Sequence, residues 1–459
     1  MFSQNHYPRK SIIQRSPMAS LDQIPEVERL SRDELVEEQN RSLLVQLANI
    51  RERSPFYRQL FEAVFHPSAD GLKPAREQPF TTRMDLVSAQ HDVPPWGGLL
   101  AVPTDECSIL GFTNAIASGM DGYPELLLAA TAEDMRMRVA IAGRAFAMGG
   151  ATASDRTAII GEVARSILHH VMLGGLVEVG STPFQIGRGL TLRHVRHTLP
   201  VLAPTQIVTL PTYALHLASL LEDEGTELPV ERLFLWGEVG PSVPSIRKTL
   251  EEAWGHASIR DVYAMEELGI IAAECGEGEG LHGFEDAFIY EIVDPNSDEV
   301  LGDGERGELV LTPLLAHAMP LLRYRTGDLV SADHDECACG RTHLRMHVLG
   351  KVVPGPGGPT SIDLAVIEQA LGDFSGSTGR YRVVIEPSGP VLEVAAPEGA
   401  GTDKDPSQNV ATSAARRCDI KLRTVDALPE FFHRSTRVVH SKDIGLWAAQ
   451  AEEQRRLEQ

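Results

Sequence analysis

Apolar residues recur every three to four positions through "SRDELVEEQNRSLLVQLANIRERSPFYRQLFEAV", from Ser31 to Val64, the period of an amphipathic helix. After residue 95 the pattern changes. "RTAIIG", "GLVEVG" and "TQIVTLP" are short β-branched runs, each separated by a stretch of helical length, and this alternation predicts parallel βαβ units. From about Glu285, "FIYEIVD", "GELVLTPL" and "LLRYRTGDLV" are joined by Gly and Asp turns, which predicts an antiparallel, barrel-like subdomain. The run "VVPGPGGPTSID" reads as a linker, because its prolines and glycines continue neither a helix nor a strand. A short helix "IDLAVIEQALGDF", a hairpin "YRVVIEPSGPVLEVAAPEG", a polar loop through Asn409 and a final strand with its tail follow. The expected class is α/β: an N-terminal helical segment over 1–95, the core of a large domain over 96–350, and a small α+β domain over 351–459.

With 459 residues, the chain can bury a large core. Its 42% hydrophobic and 23% charged residues are those of an ordinary globular protein. A formal charge of -22 would repel nucleic acid and anionic membrane, so neither is an expected partner. A small-molecule ligand suits the composition better. No apolar run reaches membrane-spanning length, and the basic start "MFSQNHYPRKSIIQRSPMAS" lacks the apolar core of a signal peptide, so it reads as a frayed arm. Five thinly spread cysteines make no disulfide framework, and a cytoplasmic setting is the expectation.

Metal-ligand spacing is the most specific local chemistry. "ECGEGEGLHG" carries Cys275 and His282, and "ECACGR" carries Cys337 and Cys339. Three thiolates and an imidazole from two Gly-rich turns complete a tetrahedral zinc set if the turns meet. Four protein ligands leave no open position, so the zinc would be structural. The alternative is a group of reduced thiols without metal.

A second stretch, "ASGMDGYP", follows an apolar run and has the glycine spacing of a phosphate-binding loop. Ser118, Gly119 and Gly122 are present, but Met120, Asp121 and Tyr123 stand where hydroxyls and a lysine would serve a phosphate.

"SPFYRQLF", "TLPTYALHLASLL", "VYAMEELGIIAAEC", "GLHGFEDAFIYEIVDP", "GERGELVLTPL", "LLRYRTGDLV" and "CACGRTHLRMHVLGK" occur in the order and rough spacing of a known group. From about Ser54 to about His440 the chain resembles the phenylacetate–CoA ligase-like branch of the adenylate-forming superfamily. The resemblance implies a large N-terminal domain, a small mobile C-terminal domain and a two-step reaction. A carboxylate attacks ATP to give an acyl-adenylate, and CoA or an amine then takes the acyl group.

It also implies roles. Asp328 matches the aspartate that holds the ribose hydroxyls, Tyr263 the aromatic residue beside adenine, Glu267 the carboxylate near magnesium, and Gly237 with Glu238 the loop under the base. Read on their own, Asp328 could close a turn, Tyr263 could be core, and Glu267 could be a solvated carboxylate. The acyl pocket would run past His169, His170, Tyr213 and Trp236; adjacent histidines on a helix diverge, so at most one of that pair faces it.

The departures concentrate on the triphosphate. Two threonines and the lysine of the loop are missing, and the hydroxyl residue before Glu267 is Glu266. The family arginine is Lys351, the hinge aspartate is Val353, and the catalytic lysine falls on Arg434. A carboxylate such as Asp121 about 5 Å from a phosphate costs roughly 3 kcal/mol at an effective dielectric near 20. Asp121 could instead close a turn, or join Glu266 and Glu267 around a magnesium ion. Two functions follow. One is an ATP-dependent ligase for a small aromatic or otherwise apolar acid, with CoA or an amine as acceptor. The other is a relative that no longer adenylates and acts as an acyltransferase or a binding protein.

Overall fold

The computed structural model describes residues 24–64, 78–113, 125–161, 166–187, 192–355, 357–372, 381–395, 415–416, 420–425 and 438–440. The helical period after Ser31 becomes α1 (Arg32–Arg53) and α2 (Pro55–Val64). Ser31 and Glu34 form a reciprocal capping box that satisfies donors the first turn would otherwise leave orphaned. Leu43, Leu47 and Ile50 of α1 meet Tyr57, Phe61, Leu314 and Leu322 in one apolar cluster. The chain continues through α3 (Arg83–Asp92), a two-stranded antiparallel ribbon of β1 (Cys107–Phe112) and β2 (Leu127–Thr131), and α4 (Ala132–Met148).

Parallel strands and crossover helices follow in alternation: β3 (Arg156–Gly161), α5 (Ile167–Glu178), β4 (Thr182–Gly187), α6 (Leu192–Leu202), β5 (Gln206–Thr209), α7 (Pro211–Asp223), β6 (Arg232–Trp236), α8 (Pro244–Trp254) and β7 (Ser258–Met265). All four residues of β5 are buried, as expected of a parallel strand covered on both faces. Antiparallel strands continue the sheet: β8 (Gly269–Glu274), β9 (Leu281–Gly283), β10 (Phe288–Val293), β11 (Arg306–Pro313), β12 (Tyr324–Asp333), β13 (Arg345–Gly355) and β14 (Gly358–Asp363). The order is β10-β11-β12-β13-β9-β8-β7-β6-β5-β3-β4, with β14 on β13. A second sheet, ordered β17-β16-β15-β18, follows α9 (Leu364–Gly372) and comprises β15 (Tyr381–Glu386), β16 (Gly389–Ala395), β17 (Lys421–Val425) and β18 (Val438–His440).

Two expectations are corrected. "GLVEVG" is not a strand: Gly175 to Glu178 end α5, and the strand begins at Thr182. This helix is apolar on nearly every side, so its last turn looks β-like in sequence. Gly175 lets it approach α4, since an added Cβ would lie 2.5 Å from that of Ala142. The supposed linker is a β-hairpin, with Pro354 paired to Pro359 and Gly355 to Gly358 between β13 and β14. Its prolines are tolerated because Pro359 stands on the edge strand β14 and Pro354 lies beyond Lys351, the last residue of β13 paired with β12, so neither faces a further ladder that needs its N–H. Val353 and Ile362 of that hairpin pack with Leu364, Ile367, Tyr381, Val383 and Leu392, in a core apart from the main one.

Candidate active site and metal-binding turns

Asp328 and Lys351 face one another across β12 and β13. Lys351 Nζ lies 2.5 Å from Asp328 Oδ1, and Tyr263 Oη donates to Oδ2 at 2.7 Å. Tyr263 stands on β7, four strands from β12 in the sheet order. Four strand spacings on a flat sheet would separate them by about 19 Å, so the contact requires the sheet to curl over this centre. Burial, then the negative charge of Asp328, lifts the Tyr263 phenol well above its ordinary range, which keeps it a neutral donor. The turn before Asp328 is fixed in advance: Gly327 has φ 70°, its N–H is held by Glu308 at 3.0 Å, and Thr326 Oγ1 accepts from Asp328 N at 3.1 Å.

Glu267 lies in the turn from β7 to β8. Its Oε1 accepts from Arg83 Nη1 at 3.0 Å and from Tyr324 Oη at 3.3 Å. Arg83 also donates to Thr113, the last described residue before 114–124, and Arg138 Nη2 donates to the Glu267 carbonyl at 2.8 Å. A guanidinium thus already pairs with one oxygen of the carboxylate to which the resemblance gives a place near magnesium.

The neighbouring Glu266 turns the other way and accepts from Ser166 Oγ at 2.5 Å and Leu168 N at 3.2 Å, a carboxylate at the N-terminus of α5 where the helix dipole favours it. His169 is buried, bonds Ser166 Oγ through Nδ1 at 3.0 Å, and stands edge-on to Trp236 with centroids 5.6 Å apart. His170 points outward and bonds the Ser166 carbonyl; of the two histidines only His169 enters this interior. Glu238, after the positive-φ Gly237, caps α7 by accepting from Thr212 N and Oγ1, beside the buried Tyr213. Asp261 on β7 accepts from Ser242 Oγ at 2.8 Å; burial, then nearby Glu274, pushes its carboxyl up to about 7.

The two Gly-rich turns meet. The ligand atoms of Cys275, His282, Cys337 and Cys339 all lie within 4.8 Å of one another. Cys275 Sγ and Cys337 Sγ are 3.8 Å apart, and Cys339 Sγ is 3.4 Å from His282 Nε2. A tetrahedron with zinc–sulfur bonds of about 2.3 Å and a zinc–nitrogen bond of about 2.0–2.1 Å has edges of roughly 3.5–3.8 Å, so this set fits. The His282 Nδ1 faces the His343 carbonyl at 3.3 Å, leaving Nε2 for a metal. Behind the turns, Arg341 pairs with the buried Glu28 at 2.6 Å, and Arg144 bridges Glu28 and Asp286 at 2.7 and 2.8 Å.

No protein-family model matches the chain. A phenylacetate–coenzyme A ligase of Thermus thermophilus is 34% identical over 347 residues, covering 71% of this chain and 72% of the relative. One from Pseudomonas putida is 31% identical over 316 residues, covering 66% and 68%. The chain belongs to the phenylacetate–coenzyme A ligase family. A solved 2-hydroxyisobutyryl-CoA ligase bound to its acyl-adenylate matches at a TM-score of 0.78 and 22% identity, over 99% of this chain and 98% of the other. An amide bond synthetase from Marinactinospora thermotolerans matches at 0.52 and 18% identity, over 75% and 70%. These two show the adenylate-forming ligase fold.

Of the residues to which the family resemblance gives roles, Tyr263, Asp328 and Lys351 form one contact set, and Glu267 stands beside them. Gly237, Glu238, Tyr213, Trp236 and His169 line the helix ends nearby. Ser118, Gly119, Gly122 and Arg434 lie outside the described residues. Sequence reasoning missed Arg83, Arg138, Thr113, Ser166 and Tyr324; only Tyr324 stands in a block that carries the resemblance, "LLRYRTGDLV", and nothing in that block marks it as a partner of Glu267.

Proposed function

We propose that this family member is an AMP-forming ligase for a small aromatic or otherwise apolar carboxylic acid. The observation that carries the reading is the Tyr263–Asp328–Lys351 set, a buried carboxylate with two oxygens fixed to meet paired hydroxyls, as a ribose presents. A carboxylate oxygen of the acid attacks the α-phosphorus of ATP, the bond to the bridging oxygen breaks, and pyrophosphate leaves. The sulfur of CoA, or an amine nitrogen, then attacks the acyl carbon, loses its proton and expels AMP. Asp328 holds the ribose, Tyr263 orients that carboxylate, and Lys351 supplies a cation. His169, Tyr213 and Trp236 wall the acyl side, with His170 outside it. Arg434 is the proposed bridging cation between carboxylate and α-phosphate, while Ser118, Gly119 and Gly122 offer backbone N–H groups to the phosphates. Acid-dependent exchange of pyrophosphate into ATP, followed by acyl-CoA or amide formation, tests the scheme.

Cys275, His282, Cys337 and Cys339 would hold one structural zinc, whose chemistry is to tie the two turns together. The four described cysteines are free thiols, which suits a reducing, cytoplasmic setting. No described helix is long and apolar enough to cross a membrane. A second reading, an acyltransferase or binding protein using preactivated acyl groups, is favoured by Glu266, a carboxylate held at the N-terminus of α5 where the resemblance calls for a hydroxyl residue.

A further inference from the structure

Two arginines converge on Glu267 from different elements. Arg83, at the start of α3, reaches the carboxylate, and Arg138, on α4, reaches the main-chain carbonyl. The Arg83–Glu267 pair is enclosed, with both side chains only 8% exposed. Tyr324 adds a further donor to the same Oε1. Among the described residues no hydrogen bond reaches Glu267 Oε2, and Arg83 Nε is buried without an acceptor. One donor and one acceptor of the pair are thus left over, and two guanidinium groups stand against a single carboxylate. A divalent cation asks for several oxygens and no fixed positive charge beside them.

The geometry points to Arg83 as the resident cation of this site, a positioning residue that holds Glu267 in place of a divalent metal and turns the pocket toward an anion. The bond from Arg83 to Thr113, just after β1, fixes the guanidinium from a second side. A phosphate beside it would be met by an arginine fixed in advance. The neighbouring charges among the described residues are engaged elsewhere. Glu266 is turned to the N-terminus of α5, Asp134 is engaged by Thr131 and by the N–H groups of His317 and Ala318, and Lys351 is paired with Asp328. The inference deepens the ligase reading and rests on it for the identity of the anion, an adenylate.

The test begins with the full-length, nucleotide-free protein titrated with Mn2+, free ion being followed by electron paramagnetic resonance. Wild type should show no tight site that Glu267→Gln removes. Arg83→Gln should gain a site at least tenfold tighter than any in wild type, and the added Glu267→Gln should abolish it. Arg83→Lys, which keeps the charge, should behave as wild type. A wild-type Mn2+ site lost in Glu267→Gln overturns the inference, as does a folded Arg83→Gln that gains nothing. If Arg83→Gln does not fold, wild type against Glu267→Gln still decides. In a second arm, AMP affinity in wild type should agree within twofold in EDTA and in Mg2+, and Arg83→Lys should keep that indifference; a strong Mg2+ requirement overturns it. Failure of AMP to bind at all contradicts the ligase reading instead, and the Mn2+ arm then stands alone.

Discussion

Lys351 holds one oxygen of Asp328 at 2.5 Å while Tyr263 holds the other, so the groups that would receive a ribose are engaged by the chain's own donors. Two hydroxyls entering this site exchange with bonds already aligned, and the carboxylate needs little rearrangement. Asp328→Ala should weaken AMP or acyl-adenylate binding by roughly 1.5–3 kcal/mol, the scale of hydrogen bonds to a charged group. Tyr263→Phe should cost about 0.5–1.5 kcal/mol. Titration calorimetry with AMP reads both, and unchanged affinity in Asp328→Ala would remove the ribose role.

Zinc is the next expectation. Protein purified without added metal should carry about one zinc per chain, measured by elemental analysis. Cys339→Ser should lose it and lower the thermal midpoint by roughly 5 °C or more. Cys107→Ser, remote from the four ligands, should change neither. A folded sample with no zinc contradicts the assignment.

Stability should depend on pH through Asp261. Its carboxyl is raised to about 7 in the folded chain by burial first and by Glu274 second. The unfolded chain releases this proton near pH 4 and the folded chain near pH 7. Between those values the native state binds more protons, so stability falls as pH rises from about 4 to about 7 and is level above. Asp261→Asn should remove that slope and leave the variant more stable than wild type at pH 8 by about 2–4 kcal/mol. Denaturant melts at pH 5 and pH 8 measure the difference; an unchanged slope counts against it.

A fourth expectation concerns the contacts behind the metal turns. Arg144 is the shared partner of Glu28 and Asp286, which are 1% and 8% exposed. Arg144→Ala leaves buried Asp286 without its cation and Glu28 with Arg341 alone, and should destabilise by about 3–5 kcal/mol. Adding Glu28→Gln and Asp286→Asn should recover part of the loss, and chemical denaturation of the series shows whether the coupling exists.

Much of the fold was legible because the relevant signals are local. The 3.6-residue period names α1 and α2, and the β-branched runs around Ile159, Val208 and Val310 name their strands. Cysteine and histidine are rare enough that two short turns disclosed the metal set. What failed had a physical reason: α5 is apolar on nearly every side, so its end imitates a strand, and Pro354 and Pro359 look like breakers although a hairpin ending in an edge strand accepts them. The Arg83–Glu267 pair spans 184 residues and joins a capping region to a strand end. No spacing rule connects such positions; only the curl of the sheet does.

The most direct test of the central claim is acid-dependent exchange of labelled pyrophosphate into ATP, run with aromatic and short apolar acids on wild type, Asp328→Ala and Arg434→Ala. The ligase account predicts exchange with at least one aromatic acid, reduced about tenfold or more in Asp328→Ala, equivalent to roughly 1.4 kcal/mol, and slowed in Arg434→Ala. No exchange with any acid, in a wild-type protein that still binds a preformed acyl-adenylate, would contradict it.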